Sequence, residues 1–338
     1  MIKTMPLNNI NIVKKQEKIP IIETIRGLAA LAVCLFHFGK ANIDFIGNSI
    51  WYQKITTHGW LGVEAFFVLS GFIIPYSLVK SGYTIKRFFQ FFAKRCLRIE
   101  PPYLISIIIV ILLGYISTLF PGFKGEEFSF NIWQFMSHIA YLPEHLGFTW
   151  LLPVYWTLEA EFHYYILIGL SLPLLWRNQI SLLMGLTIGL AASFFIPLYV
   201  FSFMPLFVMG ISVCAFKTGR INQYIFWMIL AVSISVSLVR GQNYWVPLTG
   251  VMTSLLITYA HFKTKLTDFL GKISYSLYLL HIPFGSRIIN LGGRYADTEW
   301  KVWAILALAL SVTLIVSWIF YKLIEYPSQL LSKKISYK

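Results

Sequence analysis

Apolar residues run through this chain in long, near-continuous blocks, and the period-2 alternation of a barrel strand is missing from them. A bilayer core about 30 Å thick needs about 20 apolar residues per crossing helix, so the pattern is that of membrane helices. Hydropathy and turn residues divide the chain into spans near 22–39, 60–79, 101–120, 153–176, 180–199, 201–216, 224–239, 245–262, 273–291 and 301–321. The expected fold is all-α, a polytopic membrane helical bundle of about ten transmembrane helices. Around Pro197 and Pro205 the pattern fits either a tight out-facing hairpin or one broken helix. Two connecting segments have a character of their own. Ile132–Tyr141 carries helical periodicity and is expected to lie along the outer surface, and residues 80–100 interleave Phe88, Phe89, Phe91 and Phe92 with Lys and Arg. The latter reads as an interfacial amphipathic helix.

Composition sharpens this picture. Hydrophobic residues make up 57% of the chain and charged residues 12%, with a mean hydropathy of +0.68. A soluble chain carries about 25% charged residues, and a single core cannot hide such an apolar excess, so the excess faces lipid. With the N-terminus inside, 19 Lys and Arg residues fall in inner segments and six in outer ones. The positive-inside rule then puts both termini on the cytoplasmic side. This bias accounts for the net charge of +14 without a nucleic-acid partner, because the basic residues are spread over short loops. The expected organisation is a cytoplasmic segment 1–21, a transmembrane domain 22–327 and a cytoplasmic tail 328–338, in the inner (cytoplasmic) membrane. Residues 1–20 are polar and no cleavage site of small residues follows, so a removable signal peptide is not expected. Cys34, Cys96 and Cys214 sit on no disulfide or metal spacing.

The chemistry lies in the ionisable residues that a membrane rejects at about 2.5–3.5 kcal/mol each. These are Glu23, Arg26 and His37 in the first span, Glu64 in the second, and Glu159, Glu161 and His163 in the fourth. His281 and Arg287 lie in the ninth, and Lys322 and Glu325 in or beside the tenth. The longest outer segment, 121–152, adds Glu126, Glu127, His138, Glu144 and His145. The intramembrane residues together describe a polar chamber inside a helical bundle. Arg26 and His37, eleven residues apart, share a helix face about 16 Å apart along the axis. Arg26 reads equally as a snorkelling anchor, and His37 as a buried hydrogen-bonded histidine.

The stretch Glu23-Thr24-Ile25-Arg26-Gly27-Leu28-Ala29-Ala30, running on to His37, resembles the opening of the acyltransferase 3 family, an Arg, ten intervening residues and then a His. The resemblance continues in order. It takes in Gly62 through Phe72, Lys94 through Tyr103, Trp156 through Glu161 with Tyr164 and Tyr165, Ser274 through His281, and Tyr321 through Glu325 to Pro327. Each motif alone is degenerate; six in the right order are specific. Glu23 and Glu64 stand where the family commonly has Asp, and Thr157 where it has Ser. Some members carry a soluble hydrolase-like domain after the membrane part, whereas this sequence reads as the membrane domain alone.

The resemblance implies acyl transfer, by default acetyl, from cytoplasmic acyl-coenzyme A as co-substrate to a hydroxyl of a carbohydrate or glycoconjugate at the outer face. A sugar hydroxyl needs a base, and a histidine such as His37 suits that role; an acylated residue is the alternative route. Arg26, Arg95 and Arg98, at the cytoplasmic mouth, are the expected coenzyme A contacts. Glu161 is a candidate to orient His37 or bind the acceptor, and equally a structural partner for an arginine. Glu64, Ser70, Trp156, Tyr278 and His281 are the expected substrate-binding residues, with packing as the competing role for Tyr278. Thr157, Glu161 and Tyr165 form one stripe of span four, and Ser274, Tyr278 and His281 one stripe of span nine. Glu159 and His163 read as a local interhelix hydrogen bond, and Glu325 as the partner of a basic residue. The chain has no HExxH-like spacing, so no metal is expected. A secondary transporter is the alternative function, but the Arg-to-His motif of span one has no counterpart in the second half of the chain.

Overall fold

The computed structural model describes residues 19–41, 50–119 and 129–336, all of whose regular elements are helical. The polar segment 1–18, Lys124, Glu126 and Glu127 lie outside the described residues. The helices are α1 (Ile21–Ala41), α2 (Ile50–Thr56), α3 (Gly62–Lys80), α4 (Phe88–Thr118) and α5 (Ile132–Ile139). Then come α6 (Trp156–Leu175), α7 (Gln179–Ala192), α8 (Met204–Lys217), α9 (Gln223–Val239), α10 (Trp245–Tyr259) and α11 (Lys265–Leu280). The series ends with α12 (Arg287–Gly292), α13 (Glu299–Phe320) and α14 (Tyr326–Lys334).

Polar caps cut the apolar blocks into these pieces. Asn131, Asn178 and Asn222 accept hydrogen bonds from first-turn backbone N–H groups of α5, α7 and α9, and Thr264 forms a capping box with Thr267 at α11. Four stretches are long and apolar enough to cross a membrane: Ile21–Lys40, Trp51–Lys80, Ile85–Thr118 and Glu299–Lys334. Helices α7 to α10 are apolar but only 14 to 17 residues long. At about 1.5 Å per residue they reach about 21–25 Å, short of a full hydrocarbon core.

Several elements differ from the sequence reading. The segment 80–100 is not a separate interfacial helix, because from Phe88 it continues into span three as α4, with Pro101 and Pro102 inside the helix. Its face is nonetheless divided, Phe91 being fully buried and Phe89 82% exposed. The region of Pro197 and Pro205 is a hairpin: α7 ends at Ala192, one turn forms at Tyr199–Ser202, and α8 starts with Pro205 in its first turn. Every residue of α8 from Met204 to Ala215 is buried, so its apolar circumference meets protein rather than lipid. The ninth span breaks into α11, a π-helical turn His281–Ser286 containing Pro283, and α12. The chain after residue 326 forms α14, which packs along α4; Lys94 Nζ donates to the Ile335 carbonyl at 3.1 Å.

The central contact is between α1 and α11. The two run parallel: Thr24 bonds Thr267 at 2.9 Å, Arg26 meets Ser274, and further along His37 meets His281. Two glycines permit it. A Cβ on Gly27 would lie 2.7 Å from Gly271 N, and a Cβ on Gly271 would collide with the Glu23 backbone. Small residues at such crossings let helix backbones touch in a membrane. Gly71 of α3 and Gly210 of α8 make the second crossing of this kind.

Candidate active site

The α1–α11 contact opens beside α3, α4 and α6 into a cavity of about 120 Å³. Arg26, Arg95, Arg98, Ser70, Glu161 and Tyr278 all line it, together with Thr157, Tyr165, Ser274, Tyr275 and Glu325. Three guanidiniums from two helices therefore share one small space. Arg26 Nε donates to Ser274 Oγ at 3.3 Å. The Arg95 guanidinium lies 5.5 Å from the Phe91 ring centre and 5.6 Å from that of Tyr165, so aromatic faces hold it in place. Among the described residues, the ion pairs within 4 Å involve none of these three arginines.

Two carboxylates face the same space, and hydroxyls hold both. Glu161 Oε1 accepts from Ser70 Oγ at 2.9 Å and from Tyr165 OH at 2.6 Å. Glu325 Oε2 accepts from Ser276 N at 3.1 Å and Ser276 Oγ at 2.5 Å, while Gln329 Nε2 donates to its Oε1 at 2.9 Å. The sequence reading made Glu325 the partner of a basic residue; its hydrogen bonds go instead to Ser276 and Gln329, and Arg26 and Arg98 are its neighbours across the cavity. Glu161 orients the α3 and α6 hydroxyls, and neither of its hydrogen bonds goes to His37.

Tyr278 forms one wall of the cavity. Its hydroxyl bonds Thr157 Oγ1 at 2.7 Å and the Val154 carbonyl at 3.1 Å. Its ring centre is 5.9 Å from that of His281, which in turn is 5.2 Å from that of His37. A file of rings thus leads from the cavity wall to the histidine on α1. Arg26 and His37 share the α1 face that meets α11, as their spacing predicts. Thr157, Glu161 and Tyr165 line the cavity as one stripe, also as predicted. The stripe Ser274–Tyr278–His281 holds, since Ser274 and His281 both meet α1, but its last member lies beyond the cavity, with its ring against His37.

His37, Glu64, Trp156 and His281 are not among the lining residues. Trp156 stands one layer back, its ring centre 6.2 Å from that of Phe67, which does line the cavity. Glu64 is buried in the first turn of α3, with Oε2 lacking a partner among the described residues. Glu159 bonds His145 of the segment before α6 at 3.1 Å in place of the expected His163, whose Nδ1 stands 3.7 Å away with no hydrogen-bond partner among the described residues. The sequence reading missed Tyr275, whose hydroxyl donates to the Ile99 carbonyl at 3.0 Å as its ring closes the α4 side. It lies off the i, i+4 stripe through Ser274 and Tyr278, so helical spacing gave no signal for it.

A family model for the acyltransferase domain matches residues 19–322. The chain belongs to the acyltransferase 3 family. Within that family it is 24% identical to the peptidoglycan O-acetyltransferase OatA of Listeria monocytogenes, an alignment covering 91% of this chain and 55% of OatA. It is also 24% identical to the acyltransferase MdmB of Streptomyces mycarofaciens, over 71% of this chain and 62% of MdmB. The chain thus spans a little over half the length of these relatives. No solved structure matches it. The matched region of this acyltransferase-family chain holds every residue of the arginine cavity except Glu325.

Proposed function

We propose that this acyltransferase carries an acyl group, by default acetyl, from acyl-coenzyme A to a hydroxyl of a carbohydrate or glycoconjugate on the far side of the cytoplasmic membrane. The observation that carries this reading is the convergence of Arg26, Arg95 and Arg98 on one cavity with no carboxylate within 4 Å of them among the described residues. Guanidiniums left without an ion pair in a partly buried space favour a polyanion, and a coenzyme A diphosphate accepts their forked N–H groups. The carbohydrate acceptor draws support from the relative named as a peptidoglycan O-acetyltransferase. In this reading about ten spans cross the membrane with both termini cytoplasmic, as the 19:6 bias of basic residues favours.

The thioester arm passes Tyr278 toward the imidazoles. His37 accepts the proton of the acceptor hydroxyl while its oxygen bonds to the thioester carbonyl carbon. The carbon–sulfur bond then breaks, its electron pair leaves on sulfur, and the proton held by His37 returns to the thiolate. Loss of a general base costs about 10²–10⁴ in rate. His37→Ala and His37→Gln should both remain in the membrane and bind acetyl-coenzyme A, yet release thiol from it in the presence of acceptor at least about a hundredfold more slowly. The measurement is thiol release by purified protein in nanodiscs. A His37→Gln enzyme turning over at the wild-type rate would sink the role of His37.

A further inference from the structure

His281 is fully buried at the first position of the π-helical turn. Its Nδ1 stands 3.1 Å from the Leu277 carbonyl oxygen, which can only accept. Nδ1 therefore carries the hydrogen, and in the neutral ring Nε2 carries a lone pair. That Nε2 is buried and has no hydrogen-bond partner among the described residues. Of the two rings that neighbour His281, Tyr278 has its hydroxyl committed to Thr157 and Val154. The other is the His37 ring, with a centre-to-centre separation of 5.2 Å and an interplanar angle of 49°. A change of ring torsion at that separation turns an N–H of His37 onto the orphaned lone pair. Buried polar atoms without partners cost free energy, so the environment favours that bond.

We infer that His281 is a positioning residue for His37: its Nε2 lone pair accepts an N–H from the His37 imidazole, fixing one tautomer and leaving the other His37 nitrogen as a free lone pair. His281 sits in α-helical register, its backbone N–H donating to the Leu277 carbonyl, and lies beside α1 while Tyr278, three residues earlier, stands on the cavity wall. This inference rests on the reading of His37 as the base and adds what selects the nitrogen that acts. A ring of the wrong tautomer offers the substrate a donor where a base is required, and such an error can cost several powers of ten in rate.

The test has two arms. In the first, protein labelled with ¹⁵N-histidine is placed in nanodiscs and examined by solid-state NMR, with His37→Gln used to assign the His37 signals. The wild type and His281→Gln, whose amide still accepts a hydrogen bond, should show a single neutral His37 tautomer. His281→Phe, which keeps the ring volume and removes the lone pair, should show a mixture. Identical His37 signals in wild type and His281→Phe would overturn the inference whatever the activity. In the second arm, thiol release from acetyl-coenzyme A is followed with chitotetraose as acceptor probe. His281→Phe should lower kcat by about tenfold or more without changing the KM for acetyl-coenzyme A, and His281→Gln should restore most of it. Wild-type kcat in His281→Phe, alongside an inactive His37→Gln, would overturn the positioning role and leave His37 as the base. Full activity in His37→Gln would instead overturn the base.

Discussion

Arg26 Nε and Ser274 Oγ meet at 3.3 Å across the crossing of α1 and α11, where Gly27 and Gly271 let the two backbones touch. The polar contact depends on the glycines, because a side chain at either position would push the helices apart and withdraw the guanidinium from the cavity.

Gly271→Ala should therefore destabilise the protein and weaken its cavity. The new Cβ meets the Glu23 backbone, which cannot rotate away. Overpacking of this kind costs about 1–3 kcal/mol. Thermal unfolding in detergent, followed by size-exclusion chromatography of a fluorescent fusion, should show a lowered Tm. An unchanged Tm would mean that the crossing is looser than the structure has it.

Replacing Arg26, Arg95 or Arg98 with Gln should each weaken acetyl-coenzyme A binding about ten- to a hundredfold, the worth of a lost charge-assisted hydrogen bond. Lys at the same positions should restore part of the affinity, because a point charge lacks the planar fork. Calorimetric titration into nanodisc-embedded protein reads this directly. Three variants with wild-type affinity would show that the donor binds elsewhere.

Glu161 accepts from both Ser70 and Tyr165 through Oε1. Glu161→Gln can keep both bonds through its amide oxygen, whereas Glu161→Ala strands two hydroxyls at about 1–3 kcal/mol. The Ala variant should unfold at lower temperature and the Gln variant near the wild type. Comparable turnover is expected for Glu161→Gln, since His37 takes the proton. If thiol release collapses in that variant while its Tm holds, Glu161 is the base.

Single cysteines at Lys14, Lys54, Lys124 and Lys334, introduced after Cys34, Cys96 and Cys214 are replaced, report the topology. An impermeant thiol reagent should label positions 54 and 124 in intact cells and leave 14 and 334 unlabelled. Labelling at 334 would mean an odd number of crossings.

Much of the site can be read from helical period alone. Eleven residues are close to three turns, so Arg26 and His37 had to share a face of α1, and Thr157, Glu161 and Tyr165 had to share one of α6. The cost of burying charge in lipid likewise marked Arg26, Glu161 and Glu325 as chamber residues before any contact was known, while Arg95 and Arg98 were expected at the cytoplasmic mouth. Tyr275 escaped because it lies off the stripe, and the bond of Glu325 to Ser276 because that partner comes from another helix.

The sequence by itself determined that this is a chain of membrane helices with polar stripes, since apolar length, charge distribution and helical spacing are local properties. It also carried the six ordered motifs that fix the family. Tertiary structure alone decided which stripes face one another. The α1–α11 contact depends on two glycines 244 positions apart whose value lies in what they omit, and no periodicity records that. Helix α8 looks as apolar as its lipid-facing neighbours and is interior, because burial in protein and burial in lipid select the same side chains. Helical spacing puts His281 on the Ser274–Tyr278 stripe, but how far along that stripe the cavity reaches is set by the neighbouring helices, and so His281 meets His37 instead of lining the wall.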